Sequence, residues 1–307
     1  MKKEILNNLF YLIIKFKFLL IIFFLLIINN IYFFKFFLKL LNLNSNQDRI
    51  LLYTCCDDIY SHYIPIFCNL ALHSDKLKKL DIEIGVSVNK LSDNEEKALD
   101  YLREKYSYSK IIIKYNFFIK NNTGFYYNNI KIKPNSVRFI SQPLIHNKYV
   151  YITDIDIFIF IDNFCLYLID DMKRRKSCYS NIVRPKTHHL TGLHFIEYDA
   201  YYPIPMQKKY NINDEVLLFN ILKSKGIKID YKTNYRPQFG IHVSPSRSHV
   251  SSIGHIGWGA ENYKFNWINY CKSKEFRYIY PLLDKFILKK ISKLNNYYSI
   301  KDKEFFN

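Results

Sequence analysis

The chain lacks the cysteine patterns of a zinc site and of a disulfide-stabilised scaffold. Its 6 cysteines occur at irregular intervals, without the paired short spacings of zinc ligands and without a dense framework. This arrangement indicates ordinary core residues in a reducing compartment, with one or two bridges in a secretory lumen as the alternative. The cysteines are Cys55, Cys56, Cys68, Cys165, Cys178 and Cys271.

Glycine and arginine are also scarce, and this scarcity changes the meaning of the net charge of +18. The chain is instead crowded with Lys, Asn, Ile, Tyr and Phe, which is typical of a low-GC coding bias that raises lysine everywhere. The positive charge is spread out, and no nucleic-acid-binding motif accompanies it, so we expect no nucleic-acid partner. Lysine is concentrated in residues 1–45 and 264–307, and either region could lie against anionic lipid headgroups.

A long apolar run marks the beginning of the chain. Residues 9–28 have the length of a bilayer span, although Lys15 and Lys17 interrupt them. A span from about residue 18 to residue 41, with its lysines reaching toward the interface, is an equal alternative. No small-residue cleavage site follows, which argues against a removed signal peptide. We expect a single-pass membrane anchor and linker over residues 1–45, with a buried soluble helix as the alternative. Lysines on both sides leave the orientation open.

Beyond this segment, apolar strand patterns alternate with helical patterns, and no internal repeat is present. Such alternation is typical of a mostly parallel sheet covered by helices on both faces, and residues 46–270 are long enough for one such α/β domain. The pattern predicts an irregular insertion at 115–135. Predicted strands lie at 49–55, 82–88, 111–113 and 148–153, and predicted helices at 60–73, 91–106 and 137–146.

Residues 271–307 are predicted to form a basic amphipathic helix and tail. Leucine and isoleucine side chains recur on one side of residues 281–294, and lysines lie mainly elsewhere. This pattern suits a helix in a membrane surface, and it suits docking on the catalytic domain equally well.

Two aspartates, Asp154 and Asp156, end the strongly apolar strand at 148–153. A buried carboxylate without a partner is costly, so their position needs a reason. Residues i and i+2 of an extended strand face the same side, which would let both carboxylates address one cation. Mg²⁺ and Mn²⁺ take such oxygen ligands together with substrate phosphates, and the ligand of a parallel sheet lies outside the carboxyl ends of its strands. Solvated turn aspartates are the alternative.

Four stretches of the sequence resemble the GT-A-fold glycosyltransferases, most of all the glycogenin and lipopolysaccharide-galactosyltransferase type, family eight. They are LLYTCCDDIY at 51–60, RF with NKYVYITDID within 138–156, TGLHF with NDEVLL within 191–218, and FGIHVS at 239–244. The resemblance implies a GT-A-like, Rossmann-type mixed sheet with helices on both faces, and the apolar run described above would precede it as a transmembrane helix. It also implies transfer of a hexose from a nucleotide-diphosphate sugar to a glycolipid or polysaccharide acceptor.

The resemblance further implies a nucleotide-sugar site. Thr54, Asp57 and Tyr60 would hold the nucleoside. Arg138 would reach the diphosphate or order the aspartate loop, because the guanidinium fork suits phosphate oxygens. The plainer alternatives are a Tyr60 that begins an amphipathic helix and an Arg138 on a helix surface. The residues assigned to the nucleotide sugar are Thr54, Asp57, Tyr60, Arg138, Thr191, Gly192, Arg247, His255 and Gly257.

His242 is assigned as the third ligand of the metal, beside the two aspartates. A neutral imidazole suits Mn²⁺ better than Mg²⁺, so we expect Mn²⁺ with Mg²⁺ as the alternative. The family places Gly, Lys, Pro and Trp soon after this histidine, whereas Ser244, Pro245 and Arg247 follow it here. His255 is the rival, because residues 254–259 hold three of the chain's 8 glycines, and glycines let the backbone approach a ligand closely.

Asp214 and Glu215 are the candidate catalytic residues. One of them would deprotonate the acceptor hydroxyl or stabilise the reacting sugar carbon, as the resemblance implies. The alternative is that both only begin a helix, where acidic side chains favour the N-terminal end of the dipole.

These features together predict a membrane-anchored, metal-dependent glycosyltransferase that contacts membrane lipid. Its catalytic domain would face the cytoplasm in a bacterium and the Golgi lumen in a eukaryote. One alternative is a haloacid-dehalogenase-like phosphatase, in which the first Asp of Asp-x-Asp is a nucleophile. That motif normally opens its domain and continues with a small polar residue, whereas Ile157 and Phe158 follow here. The other alternative is a non-catalytic membrane protein with a degenerate transferase fold.

Overall fold

Strands and helices alternate along the part of the chain that the computed structural model describes, which is residues 49–181, 183–184, 188–231, 239–243 and 260–300. In chain order the strands are β1 (Ile50–Cys56), β2 (Leu80–Val86), β3 (Ile111–Lys114), β4 (Ile119–Asn121), β5 (Gly124–Tyr127), β6 (Ile130–Ile132), β7 (Tyr149–Ile152), β8 (Ile157–Ile159), β9 (Tyr179–Ser180), β10 (Val183–Arg184), β11 (His189–Leu190), β12 (His194–Glu197) and β13 (Gly240–His242). The α-helices are α1 (Asp58–Ser61), α2 (Ile64–Ser74), α3 (Asp93–Lys105), α4 (Val137–Ile140), α5 (Cys165–Arg175), α6 (Tyr198–Tyr201), α7 (Asp214–Ser224), α8 (Lys264–Cys271), α9 (Lys274–Ile279) and α10 (Lys285–Tyr297).

Six strands form the main sheet in the order β3-β2-β1-β7-β12-β9. The first four are parallel to one another, β12 runs antiparallel to β7, and β9 runs antiparallel to β12. The register places Leu52 of β1 between Ile82 of β2 and Tyr151 of β7. The prediction of a mixed α/β architecture with a mostly parallel sheet is confirmed.

Both faces of this sheet are buried. Alternate residues of β1 enter different hydrophobic clusters, with Leu52 on one face and Tyr53 on the other. Side chains of a strand alternate between faces, so a strand that is apolar at every position must be covered on both. The first cluster includes residues of α2, α3, α5 and α8 to α10, and the second includes residues of α4, α6 and α7.

Helix α10 packs its apolar side against the first of these clusters. Ile287, Ile291 and Leu294 are buried there, and the indole N–H of Trp267 donates to Asn295 Oδ1 at 2.7 Å. The sequence left two arrangements open for this basic helix, one in a membrane surface and one docked on the domain. The structure shows the docked arrangement. Those three side chains therefore face protein.

Two local expectations were wrong. The helix predicted at 137–146 ends at Ile140, because Pro143 disfavours helical backbone at the residue before it. Residues 119–132, expected to be irregular, form a three-stranded antiparallel sheet of β4, β5 and β6. Asn128 and Asn129 turn the chain between its last two strands with φ of 48° and 65°, the left-handed pair that a tight hairpin requires.

The described part of the chain contains no helix that combines the length and the apolar character needed to cross a membrane. The predicted anchor at residues 1–45 lies outside the described residues. All six cysteines lie inside them, and none of the six forms a disulfide bond there.

Candidate functional site

A cleft of about 530 Å³ opens where the parallel strands end. A cavity of this size can hold a small molecule. Its described walls come from the end of β1, the turn after β7, the segment before β12 and the beginning of α7. Its described lining holds five carboxylates, which belong to Asp57, Asp154, Asp156, Asp214 and Glu215. The basic side chains of that lining are Arg138 and His242.

Asp154 and Asp156 lie in a turn between two strands. Strand β7 ends at Ile152 and β8 begins at Ile157, so the aspartates follow the strand predicted at 148–153, and a turn holds them where an extended i and i+2 arrangement was expected. The carboxylate of Asp156 is buried, whereas that of Asp154 is about a quarter exposed. Strands on both sides fix the ends of this turn, which holds the two acids at the edge of the sheet.

His242 reaches the same place from a distant part of the chain. Strand β13 pairs antiparallel with β8 and sets His242 opposite Ile157. The next residue, Val243, donates its N–H to the carbonyl of Asp156 at 2.8 Å and accepts a hydrogen bond from the Tyr63 hydroxyl at 2.6 Å. Three backbone and side-chain contacts therefore fix the histidine beside the aspartates.

Asp154, Asp156 and His242 form a cluster with the composition of a metal site. One ligand atom from each lies within 4.8 Å of the others, and His242 Nε2 is 3.0 Å from Asp156 Oδ1. Two ligands of one small divalent ion are at most about 4.2 Å apart, twice the bond length of about 2.1 Å, so only a small movement would seat an ion here. Two carboxylates and an imidazole are donors that suit Mn²⁺. The residues present therefore fit a divalent metal.

Arg138 is the buried cation of the cleft. Its Nη1 lies 2.5 Å from Asp154 Oδ1 and its Nη2 lies 3.5 Å from Asp214 Oδ2, so one guanidinium bridges two carboxylates. Burial opposes its charge, but Asp154 and Asp214 outweigh burial and raise the pKa of Arg138. Its Nε has no hydrogen-bond partner among the described residues. The expected alternative of a surface arginine is wrong, because the side chain is 3% exposed.

Gly192 lies against this ion pair. A Cβ atom at that position would stand 2.9 Å from Arg138 Nη2 and 3.6 Å from Asp154 Oδ2. The backbone before β12 can therefore pass close to both charged groups only because residue 192 has no side chain.

Asp214 and Glu215 occupy the first turn of α7. The side chain of Asn213 caps that turn by accepting from the N–H groups of Glu215 and Val216 at 2.9 and 3.2 Å. The cap, which the sequence analysis missed, fixes where the two acids point. Asp214 contacts Arg138, whereas Glu215 Oε2 lies 3.7 Å from His189 Nδ1. An asparagine before two acids is the local signal that would have revealed the cap.

Asp57 and Tyr60 lie on the wall that β1 and α1 form. Asp57 caps α1, with its Oδ1 accepting from the N–H of Tyr60 at 3.2 Å, and burial raises the pKa of its carboxyl group. Tyr60 stacks on Tyr63 with ring centroids 6.1 Å apart. Asp57 and Tyr60 thus both line the cleft. Tyr60 also lies in a helix, as the plainer alternative for this residue expected.

Thr54 and Thr191 are not among the described residues that line the cleft. Thr54 is fully buried in β1, and Thr191 is buried with its hydroxyl donating to Asn181 Oδ1 at 2.7 Å. His194 is also fully buried, and its Nδ1 lies 3.0 Å from Asn181 Nδ2. Arg247, His255 and Gly257 lie outside the described residues, so their assigned roles stay predictions.

No family model matches the chain, and no curated protein matches it. Solved structures that the chain is similar to include the following three. The glycosyltransferase GlyE of Streptococcus pneumoniae aligns with 12% identity and a TM-score of 0.34 over 51% of this chain. The mannosyltransferase PcManGT of Pyrobaculum calidifontis, solved with GDP-Man and Mn²⁺, aligns with 11% identity and a TM-score of 0.42 over 82% of this chain and 73% of its own.

An active-site mutant of LgtC aligns with 13% identity and a TM-score of 0.35 over 56% of this chain and 70% of its own. The chain spans only 36% of the length of GlyE. These identities and scores are too low to place the chain in a family.

Replacing the buried arginine should destabilise the fold. We expect Arg138→Met to lower the free energy of unfolding by about 3 kcal/mol, because Asp154 and Asp214 lose the cation between them. Arg174→Met is the matched control, since Arg174 pairs with Asp171 on the surface with 73% of its side chain exposed. That control should cost less than about 1 kcal/mol. Urea unfolding of both variants measures the difference, and equal losses would contradict the central role of Arg138.

The buried histidine should make stability depend on pH. Burial lowers the pKa of His194 to about 3 from an ordinary value of 6.5. Between those values the unfolded chain binds a proton that the folded chain does not, so stability falls as pH falls below about 6.5. From about pH 7 to about pH 5.5, His194 should contribute about 1 kcal/mol of this loss.

His194→Gln should remove that contribution, whereas His146→Gln, at a side chain that is 62% exposed, should not. Urea unfolding at the two pH values checks both variants. An unchanged pH dependence in His194→Gln would show that another group causes the loss.

Proposed function

We propose that this cleft transfers a hexose from a nucleotide-diphosphate sugar to a hydroxyl group of a glycolipid or polysaccharide acceptor. The observation that carries the proposal is the cluster of Asp154, Asp156 and His242 beside a buried arginine, in a cleft outside the carboxyl ends of parallel strands. In sheets of this kind that edge is where nucleotide ligands bind. The GT-A assignment and the likeness to family eight belong to the same proposal.

The proposed cofactor is Mn²⁺, with Mg²⁺ as the alternative, held by Asp154, Asp156 and His242. When bound, the ion acts as a Lewis acid that neutralises charge on the leaving diphosphate. Binding of a diphosphate in this cleft would require a cation, because five carboxylates line its described walls and one arginine opposes them. A dianionic diphosphate would otherwise meet a surface of its own sign.

Arg138 orders the aspartate turn in this proposal. Its two Nη atoms lie toward Asp154 and Asp214, so the guanidinium fixes the separation of the metal-binding turn from the beginning of α7. This geometry supports an ordering role for Arg138 more directly than a contact with phosphate.

The wall of Asp57 and Tyr60 receives the nucleoside in this proposal. The Tyr60 ring lines the cleft and offers an aromatic surface to a base, and the Asp57 carboxylate lies beside it as a hydrogen-bond acceptor. Gly192 lines the same cleft, and its missing side chain lets the backbone lie against Arg138 and Asp154. Thr54 and Thr191 are buried and are not among the described residues that line the cleft, so neither contacts the donor in this proposal.

Glu215 is the group that accepts the proton of the acceptor hydroxyl in this proposal. The Asp214 carboxylate contacts Arg138, whose Nη2 lies 3.5 Å from its Oδ2, so this contact sets its position. Glu215 lines the same cleft one residue further on, with 20% of its side chain exposed. Asp214 therefore positions the arginine, and Glu215 faces the acceptor.

The phosphatase alternative is weakened by the fold. Its nucleophilic aspartate would follow the strand that opens the domain, whereas Asp154 follows β7, after three other strands of the main sheet. The single-pass anchor, the contact with membrane lipid and the compartment stay predictions, as does the absence of a nucleic-acid partner.

Removing a metal ligand should weaken metal binding. We expect Asp156→Asn to weaken Mn²⁺ binding by at least about tenfold, since a neutral amide replaces a charged oxygen donor. Hydrolysis of UDP- and GDP-sugars should be lost with it. Asp58→Asn is the matched control, because Asp58 is the exposed partner of Lys120 next to the cleft and is absent from the cluster.

Calorimetric titration of the full-length protein with Mn²⁺, followed by a donor-hydrolysis assay, measures both effects. Full metal affinity and full activity in the double variant Asp154→Asn/Asp156→Asn would exclude the proposed metal site.

The pairing of β8 with β13 should be required for metal affinity. A Cβ atom on Gly240 would stand 1.7 Å from the carbonyl oxygen of Phe158, so Gly240→Ala must displace β13 and with it His242. We expect Mn²⁺ affinity to fall by at least about tenfold. Gly226→Ala is the control, because no atom lies within 4 Å of its added Cβ and only its φ of 71° resists the change. The same titration compares the two, and unchanged affinity in a folded Gly240→Ala protein would remove His242 from the site.

A further inference from the structure

An exposed leucine stands among three lysines on a loop far from the cleft. Residues 75–79, here named the lysine loop, join α2 to β2. Leu77 is 48% exposed, and Lys76 beside it is 47% exposed. Lys78 and Lys79 follow directly, so the loop presents an apolar tip within a cluster of positive charge.

Hydrogen bonds hold the lysine loop in this shape. The Asp75 carboxylate is buried and accepts from the N–H of Leu80 at 2.8 Å, and the N–H of Leu77 donates to Asn163 Oδ1 at 3.0 Å. Lys78 adopts a φ of 57°, a conformation that non-glycine residues rarely adopt. The exposure of Leu77 is therefore a property of an ordered loop.

A second element extends the same surface. Leu77 and Leu166 line one shallow groove with Ile50, and Leu166 and Tyr167 on α5 are 37% and 52% exposed. The lysine loop carries Lys76, Lys78 and Lys79, and the exposed acid before α5, Asp162, pairs with Lys76, with Oδ1 3.7 Å from Nζ. An exposed apolar patch with a basic rim marks an interaction site.

This surface lies at the edge of the sheet opposite the cleft. Strands β1 and β2 begin there, at Ile50 and Leu80, whereas the cleft opens where β1 ends. The chain also enters the domain at this edge, since Ile50 donates its N–H to the carbonyl of Lys79 at 3.0 Å. The predicted apolar segment extends to about residue 41, and residues 42–48 can span at most about 25 Å.

We propose that the lysine loop and the beginning of α5 contact the surface of a bilayer that carries anionic headgroups. Leu77 and Leu166 enter the interface, and the lysines lie within the Debye length, about 8 Å, over which an anionic surface attracts them. The proposal rests on the predicted anchor and does not depend on the reaction in the cleft.

Charge favours a lipid surface over two protein alternatives, which are the beginning of this chain and a second copy of it. Residues 1–45 carry six lysines and one glutamate, a net charge of the same sign as that of the lysine loop. A second copy related by a twofold axis would bring the same lysines face to face. An anionic lipid surface is complementary in both charge and apolar character.

The test places a polarity-sensitive fluorophore on the tip of the loop. Leu77→Cys is labelled in the full-length protein with Cys178→Ser in the background, because the other five cysteines are buried. The protein is reconstituted into phosphatidylcholine vesicles with or without about 30% phosphatidylserine, and nitroxide-labelled lipids serve as quenchers. Ile119→Cys is the matched control, because Ile119 is 63% exposed on β4 and lies beside Lys120, the partner of Asp58 near the cleft.

We expect the emission at position 77 to shift to the blue, with nitroxide quenching at least about threefold greater in the anionic vesicles, while position 119 stays as in water. An aqueous signal at 77 in anionic vesicles overturns the proposal. A blue shift without nitroxide quenching also overturns it, since the chain's own segment or a second copy would then cover the loop. Equal quenching at both positions overturns it as well.

A charge variant tests the lysines separately. The triple variant Lys76→Gln/Lys78→Gln/Lys79→Gln should lose the dependence on phosphatidylserine at the Leu77 probe. The matched triple variant Lys120→Gln/Lys131→Gln/Lys133→Gln, on and beside the sheet of β4 to β6, should keep it. Equal loss in both triples would show a response to total charge and would overturn the assignment to the lysine loop.

Discussion

The bridge from Arg138 to two carboxylates is the interaction on which the described site depends. A guanidinium that is 3% exposed is stable only with compensating charge, and Asp154 and Asp214 provide it from two separate elements. The same bridge explains why residue 192 is glycine, because any side chain would enter the space of the guanidinium. The aspartate turn, the beginning of α7 and the segment before β12 are therefore fixed by one buried cation.

Charge is distributed very unevenly between the protein and its cleft. The chain carries a net charge of +18, yet five carboxylates converge on the described walls of the cleft. Net charge alone favoured an anionic partner for the whole surface, whereas the local geometry indicates a cation-binding centre. Screening over about 8 Å at physiological ionic strength separates the two regions, so each recognises its partner by local charge.

The sequence predicted the location of the site better than its internal contacts. The rule that ligands bind at carboxyl ends predicted the edge at which Asp154 and Asp156 lie, whereas Asp57, Asp214 and His242 came from the resemblance. The pairing of β13 with β8 brings His242 beside the aspartates, and it joins residues far apart in sequence without a local signal. Thr54 lies one residue before Cys55, which lines the cleft, and adjacent residues of a strand face opposite sides. The sequence pattern of the strand could not decide which of two adjacent residues would reach the ligand.

The length of β1 has a consequence for the geometry of any acceptor. Its seven residues separate the lysine loop from the cleft by about 23 Å, at about 3.3 Å per residue. With that loop resting on a bilayer, the cleft opens well above the headgroups. On the two proposals together, β1 sets the height of the cleft above the bilayer, and a hydroxyl group at the outer end of a glycan would meet the cleft sooner than one on a sugar attached directly to a lipid.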